Sequence, residues 1–431
     1  MSTLLIHGGR IIDPANSIDE QMDILVKDGK IAKCGKNLSE KTEKIIDAKG
    51  LLVTPGLIDL QVHFREPGRE DKETLETGSR AAIAGGVTSV VTMPNLTPVA
   101  DNQTVIEFII SRAKALNLIN IFPSGSITKG QEGERLSEMW EMKNSGAIAV
   151  TEDGYDVQDE GLLLRAMRYA KTHDILLMSH CECDNLTGCG VMHEGWTSTR
   201  LGLAGTPEVA EDMAVLKNIL LAEKSGVRLH LLHNSTKNAI EAIRLAKKRG
   251  IGNITAEVSV QHFALTDEEC IGYNTNAKMY PPLRSEDHVQ EVIRGIQDDT
   301  IDAFTTDHAP HIEPEKLAPF EDASFGSTGL ETSFAVMNTY LVCKNHISLM
   351  KGVEKMTSAP ANIIRVPKGT LSEGVDADIS IFDLEKKWVV DPKTFYSKGK
   401  NCVFTGKTLF GKAHTVLIGG EIKMRNEEMV I

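Results

Sequence analysis

Basic residues are in deficit in this chain: Lys plus Arg number 47 against 60 Asp plus Glu, leaving a net charge of −13. Partners that present phosphate backbones or anionic lipid demand concentrated Lys and Arg, so nucleic acid and acidic membrane surfaces are excluded. Long uncharged apolar runs are also absent, and none approaches the roughly 18 residues a membrane helix requires. The opening residues, Met1 to Arg10, hold no apolar stretch of signal-peptide length. Seven cysteines, an odd number in a long chain, read as reduced thiols and place the protein in the cytoplasm. Gly8-Gly9, Gly85-Gly86 and Gly419-Gly420 lack phosphate-loop spacing and read as turns. There is no internal repeat and no low-complexity segment.

What is present is a globular composition, 41% hydrophobic and 25% charged, over 431 residues. That length suits one large domain with a smaller one. The first ~50 residues read as short strands broken by turns, with Asp28-Gly29 as a hairpin signal. From residue 55 apolar runs alternate with helical segments. The runs start at Leu57, Val87, Ile121, Ala147, Ile175, Arg228, Ile254 and Ile301. Eight near-continuous apolar strands, each followed by a helix, predict an α/β (β/α)₈ barrel. Short strands return after about residue 366. The expected division is 1–54 and 366–431 as two parts of one small β domain, with 55–365 as the barrel.

In such a barrel the chemistry sits at the C-terminal ends of the strands. Those ends carry Gln61, His63 and Arg65; Asn95; Glu152 and Asp153; His180 and Glu182; His233; and Asp307, His308 and His311. One imidazole at a strand end is usually just a satisfied polar group. Imidazoles and carboxylates at five strand ends, converging on one mouth, are what a zinc site needs. By strand alternation Asp59, Gln61, His63 and Arg65 share a face, whereas His230 and His233 face opposite ways, with His230 packed outside. Cys181, Cys183, Cys189 and His193 lack the paired spacing of a structural zinc site. Met139-Trp140 and Met213 read as core.

The stretches QVHFREPGREDKETLETG, AAIAGGVTSVVTMPN, TEDG, SHCE, HNSTK, KMYPPLR, TTDHAPH and FGSTGLET, in this order, resemble the dihydroorotases, specifically the bacterial class with aspartate in place of a bridging lysine. The resemblance spans nearly the whole chain. It implies reversible cyclisation of N-carbamoyl-L-aspartate to dihydroorotate in pyrimidine synthesis, with one or two zinc ions. It implies His63 and Asp307 as ligands of one position, His180 and His233 as ligands of another, and Asp153 between them. Arg65, Asn95, His311 and the Phe325-Gly326 backbone would hold the substrate, and Asp307 would be the general base. It further implies a homo-oligomer or an assembly with aspartate carbamoyltransferase.

Two positions depart from the family pattern. Gln61 stands where a metal-binding histidine is usual, offering a weaker amide oxygen as ligand. Tyr280 stands where a substrate-binding asparagine is usual, keeping a polar tip on a bulkier frame. Two other readings follow. One is a weak or inactive dihydroorotase-like subunit partnering the transcarbamoylase. The other is an allantoinase or hydantoinase, which the absence of lysine from Ala147 to Asp153 opposes.

Overall fold

The computed structural model describes residues 2–430. Eight parallel strands follow one another around a barrel: Leu57–Val62, Val87–Thr92, Asn120–Ser126, Ala149–Thr151, Leu176–Ser179, Arg228–Leu231, Ile254–Ser259 and Ala303–Thr305. The ring closes where His63 N donates to His308 O at 2.9 Å and Val62 bridges His308. All eight expected runs became these strands. Their Val, Ile and Leu content is explained by burial on both faces. Inside, Ile58, Leu60, Val91, Met93, Met178 and Leu232 pack together over Ile363 and Ile364, which plug the bottom. Each such side chain contributes about 1.5–3 kcal/mol on leaving water.

Local signals set the crossovers. Helix Leu75–Gly85 starts where the Thr74 side chain accepts from Thr77 N, and stops at Gly86 with φ +82°. A Cβ at Gly86 would lie 2.5 Å from the Phe382 ring, so glycine is required twice over. Helix Gln103–Leu116 is capped by Asn102, and helix Lys237–Lys248 by Thr236. Among the described residues no helix is long and apolar enough to cross a membrane.

Both ends of the chain build a second sheet. Its order is Glu428–Met429, Glu421–Arg425, Thr408–Ile418, Ile379–Val389, Leu52–Pro55, Thr3–Asp13, Ile18–Lys27, Lys30–Gly35, with Lys44–Asp47 also paired to Thr3–Asp13. The Asp28-Gly29 turn joins the last two strands of that path. Gly8-Gly9 is a bulge within one continuous strand, where the register slips between Ile6 and Gly9. Residues after the sheet strand at 379–389 return to the barrel mouth. There Asn401 Nδ2 donates to Ala309 O (3.0 Å) and Gly326 O (3.1 Å), while its Oδ1 accepts from His311 N (3.0 Å).

Three expectations need correction. His230 is wholly buried inside the barrel, in register with Met178, with its Nε2 3.0 Å from Glu257 Oε2. Alternation failed because His233 lies beyond the strand with φ +31°, which turns its ring back inward. Trp140 and Met213 are 38% and 51% exposed, so neither is core; Met139 is.

Candidate metal centre and substrate cavity

The strand ends converge on two groups of ligand atoms, each within 4.8 Å of one another: Asp153, His180 and His233; and His63, Asp153 and Asp307. Asp153 belongs to both. Its Oδ1 lies 3.3 Å from His180 Nδ1 and 3.4 Å from His233 Nε2, and its Oδ2 lies 3.3 Å from His63 Nε2. His63 Nε2 is also 3.2 Å from Asp307 Oδ1. Strand geometry alone would not gather these groups. Arg65, His233 and Asp307 all have positive φ, at 58°, 31° and 50°, just past their strands. Such backbone costs on the order of 1–3 kcal/mol per residue and is held only where surroundings enforce it.

The groups behind the ligands select their nitrogens. His63 Nδ1 lies 2.9 Å from Asn95 Oδ1, so Nδ1–H donates there and Nε2 faces the carboxylates. His180 Nε2 lies 3.4 Å from Glu182 Oε2, leaving Nδ1 toward Asp153 and 2.8 Å from His233 Nε2. Glu182 also accepts from Thr187 Oγ1. Burial opposes charge on His180, yet Asp153 and Glu182 outweigh it and raise its pKa to about 10. Burial likewise opposes charge on Asp153, but His180 and His233 hold it well below the usual carboxylate range.

The residues present fit a divalent cation. Asp153 Oδ2 and Gln61 Oε1 are buried without a hydrogen-bond partner, and two imidazole nitrogens face each other across 2.8 Å. Such atoms are stranded unless a cation or proton joins them. Gln61 Nε2 donates to Asp153 Oδ1 at 3.0 Å, so this side chain steadies the shared carboxylate.

A cavity of about 500 Å³ opens over the ligands. His63, Arg65, Asn95, Asp153, His180, Tyr280, Asp307, His311, Phe325 and Gly326 all line it, whereas Gln61 and His233 lie beneath. Arg65 forms no ion pair among the described residues, and its Nε is buried without a partner. Burial lowers its pKa to about 10, with Asp307 and Asp153 opposing, so the guanidinium stays charged at neutral pH. His311 Nε2 donates to Phe325 O (2.7 Å). Its Nδ1 lies 2.9 Å from Glu315 Oε2 and 3.3 Å from Lys72 Nζ, which itself reaches Glu315 Oε2 at 2.7 Å. Burial and then Arg65 push His311 down to about 3, although both ring nitrogens face acceptors, Phe325 O and Glu315 Oε2. Tyr280 stacks on His180 with ring centroids 5.0 Å apart and leans on Phe325 at 5.2 Å.

Some of this wall was not read from the sequence. Thr187, Gly188 and Gly190 line the cavity from the stretch after strand five, and Lys72 reaches the site from the stretch after strand one. Only the carboxylate of Glu182, two residues past His180, carried a spacing signal. The Cys181, Cys183, Cys189 and His193 set forms no ligand cluster among the described residues.

A family model described as dihydro-orotase-like matches residues 50–239. The chain is 47% identical over 426 residues to a dihydroorotase of Pelotomaculum thermopropionicum, covering 98% of this chain and 99% of that one. A dihydroorotase of Acetivibrio thermocellus is 44% identical over 427 residues, covering 99% and 100%. Among solved structures, the L-hydantoinase (dihydropyrimidinase) of Arthrobacter aurescens superposes with TM-score 0.89 at 25% identity, covering 100% of this chain and 98% of that one. A D-hydantoinase superposes with TM-score 0.87 at 24% identity over 99% and 96%, a likeness of fold.

Proposed function

The chain belongs to the dihydroorotase family, and from that premise we propose that it closes N-carbamoyl-L-aspartate to dihydroorotate, and reopens the ring, at the cavity over Asp153. The observation that carries the reading is the pairing of two ligand groups through Asp153 with an unpaired, half-buried guanidinium on the same wall. Cyclic amides with an acidic substituent call for both.

Zinc suits the mixed imidazole and carboxylate donors, and would polarise the ring carbonyl and lower the pKa of water to about 7. His180 Nδ1, His233 Nε2, His63 Nε2, Asp153 and Asp307 would hold one or two ions. Arg65 grips the substrate carboxylate through its planar fork, a geometry lysine does not reproduce. Asn95 and His311 flank that grip, and the Phe325-Gly326 backbone abuts the ring. Asp307, lining the cavity beside His63, takes a proton from the attacking water and returns it to the departing ring nitrogen. Tyr280 forms the wall opposite and narrows the ring's space.

Supporting the division at about residues 54 and 366 is the pairing of both chain ends in one sheet, with 392–406 folded back to the barrel mouth. The seven cysteines are all unpaired, which suits a reducing cytoplasm.

The test is the assay of both directions on purified protein, with metal content measured before and after zinc addition. Zinc-dependent turnover is expected. Turnover of hydantoin or allantoin without dihydroorotate would favour the second activity class. Metal uptake without any turnover would favour the inactive-subunit reading.

A further inference from the structure

A second cavity, of about 430 Å³, shares no lining residue with the one over Asp153. Trp196 starts helix Trp196–Leu201 on one side of it, Asp267 and Glu268 start the 3₁₀ turn Asp267–Cys270, and Glu286 starts helix Glu286–Gln297. Acidic residues in a first turn are explained by the helix dipole alone. Asp267 is not so explained: it is 5% exposed, yet among the described residues no donor reaches its carboxylate, which opens to the cavity. A buried carboxylate left without a partner is costly. Beside it the Trp196 indole stands 80% exposed. His193, 4% exposed, also lines the cavity. Its Nδ1 lies 3.4 Å from Arg284 Nη1, a donor, so the ring proton sits on Nε2. That Nε2 has no protein partner and faces Gly195, where a Cβ would lie 3.5 Å from it.

We propose that this cavity binds a small guanidinium compound that also carries a neutral acceptor, such as an amide carbonyl. The two free oxygens of Asp267 suit a planar fork of donors, and the open face of Trp196 suits a stacked cation. An ammonium offers neither the fork nor the flat face. Glu268 and Glu286, both exposed at the rim, attract a cation and repel a free carboxylate, so the acceptor on the ligand is a neutral one. His193 Nε2–H meets that acceptor. The basic groups nearby are already engaged: Arg284 pairs with Glu211 at 3.1 Å and Lys237 with Asp287 at 2.6 Å. Burial and then Arg284 push His193 down to about 4, so its ring adds no positive charge at neutral pH. A metal ion does not suit the site, since His193 and the three carboxylates bring no three ligand atoms together among the described residues. The volume is that of a small-molecule site.

Calorimetric titration of the full chain with N-acetyl-L-arginine amide should show one site with a dissociation constant below about 1 mM. The citrulline analogue, in which a neutral urea replaces the guanidinium, should bind at least ~10-fold more weakly, with the lysine analogue between the two. Asp267→Asn should weaken the arginine compound at least ~10-fold, the worth of a charge-assisted pair. Trp196→Ala should weaken it ~2–5-fold, as for an exposed cation–aromatic contact. Circular dichroism of both variants should match the parent. If Asp267→Asn loses its fold, Trp196→Ala decides, because that side chain is exposed and supports no core. No saturable binding by the parent, equal binding of the citrulline compound, or affinity unmoved by both variants overturns the proposal.

Discussion

The two ligand groups share a carboxylate and differ in everything else. Around His180 and His233 there are two imidazoles to one carboxylate, and the wall behind them is closed by Glu182, Thr187 and Tyr280. Around His63 and Asp307 there is one imidazole to two carboxylates, open to the cavity and to Arg65. Nitrogen-rich sites hold zinc more firmly than oxygen-rich ones. On the proposed reading, the imidazole-rich group retains an ion and the carboxylate-rich group meets substrate and moves protons. Gln61 sits on the seam, bonded to the carboxylate that both use.

The sharpest way to break the contrast is to remove what the groups share. Asp153→Asn should strip metal from both and lower turnover at least ~10³-fold, since even a partner behind a ligand is worth ~10–100-fold. Metal analysis beside the assay checks this, and a variant that keeps a full complement of zinc would contradict the shared role. Next, His180→Ala should abolish metal that survives a weak chelator, whereas His63→Ala should lose only the chelator-labile fraction. Equal losses in titration with a chromogenic chelator would erase the distinction drawn here.

Arg65→Lys tests the open side alone. It should raise KM for the carboxylated substrate by ~10–100-fold, the worth of a charge-assisted bidentate pair, and leave metal content untouched. A fall confined to kcat would place Arg65 elsewhere in the reaction. Gln61→His should be the mildest of the site changes, strengthening metal retention on the His63 side by no more than about tenfold. If it creates activity that the parent lacks, the parent is a structural subunit.

A subtler contrast lies in the loop over the cavity. Lys316 is 6% exposed and its Nζ donates to Ser324 O (2.7 Å) and Gly326 O (3.0 Å). Burial and the nearby Lys278 lower its pKa to about 7. The folded chain then binds the proton less tightly than the unfolded chain, so this group's contribution is full above about 10.4 and lost as pH falls through about 7. The unfolding free energy of the parent relative to Lys316→Gln should therefore grow between pH 7 and 10, by no more than about 4 kcal/mol. A pH-independent difference in denaturant melts would refute it.

The barrel was legible because its strands are covered on both faces, and burial of that kind writes continuous apolar runs whatever the loops do. The candidate ligands were legible at strand ends, since polar groups closing an apolar run stand out: His63, Asp153, His180, His233 and Asp307 all did, and the structure brings them together. His230 was misplaced for the opposite reason. Inside the barrel it is satisfied by Thr255 and Glu257, contacts made by neighbouring strands and invisible in local alternation. Met213 was misplaced because an apolar residue on a helix looks the same whether it faces a core or the surface.

By itself, then, the sequence determined the repeating strand–helix order, the kind of chemistry its strand ends can support, and the family to which it belongs, because periodicity and residue type are local properties. Tertiary structure alone decided that Asp153 joins two ligand groups, that Gln61 leans on it, and that Lys72 reaches His311. Those depend on distances between segments far apart in the chain, and on backbone forced into left-handed turns at Arg65, His233 and Asp307.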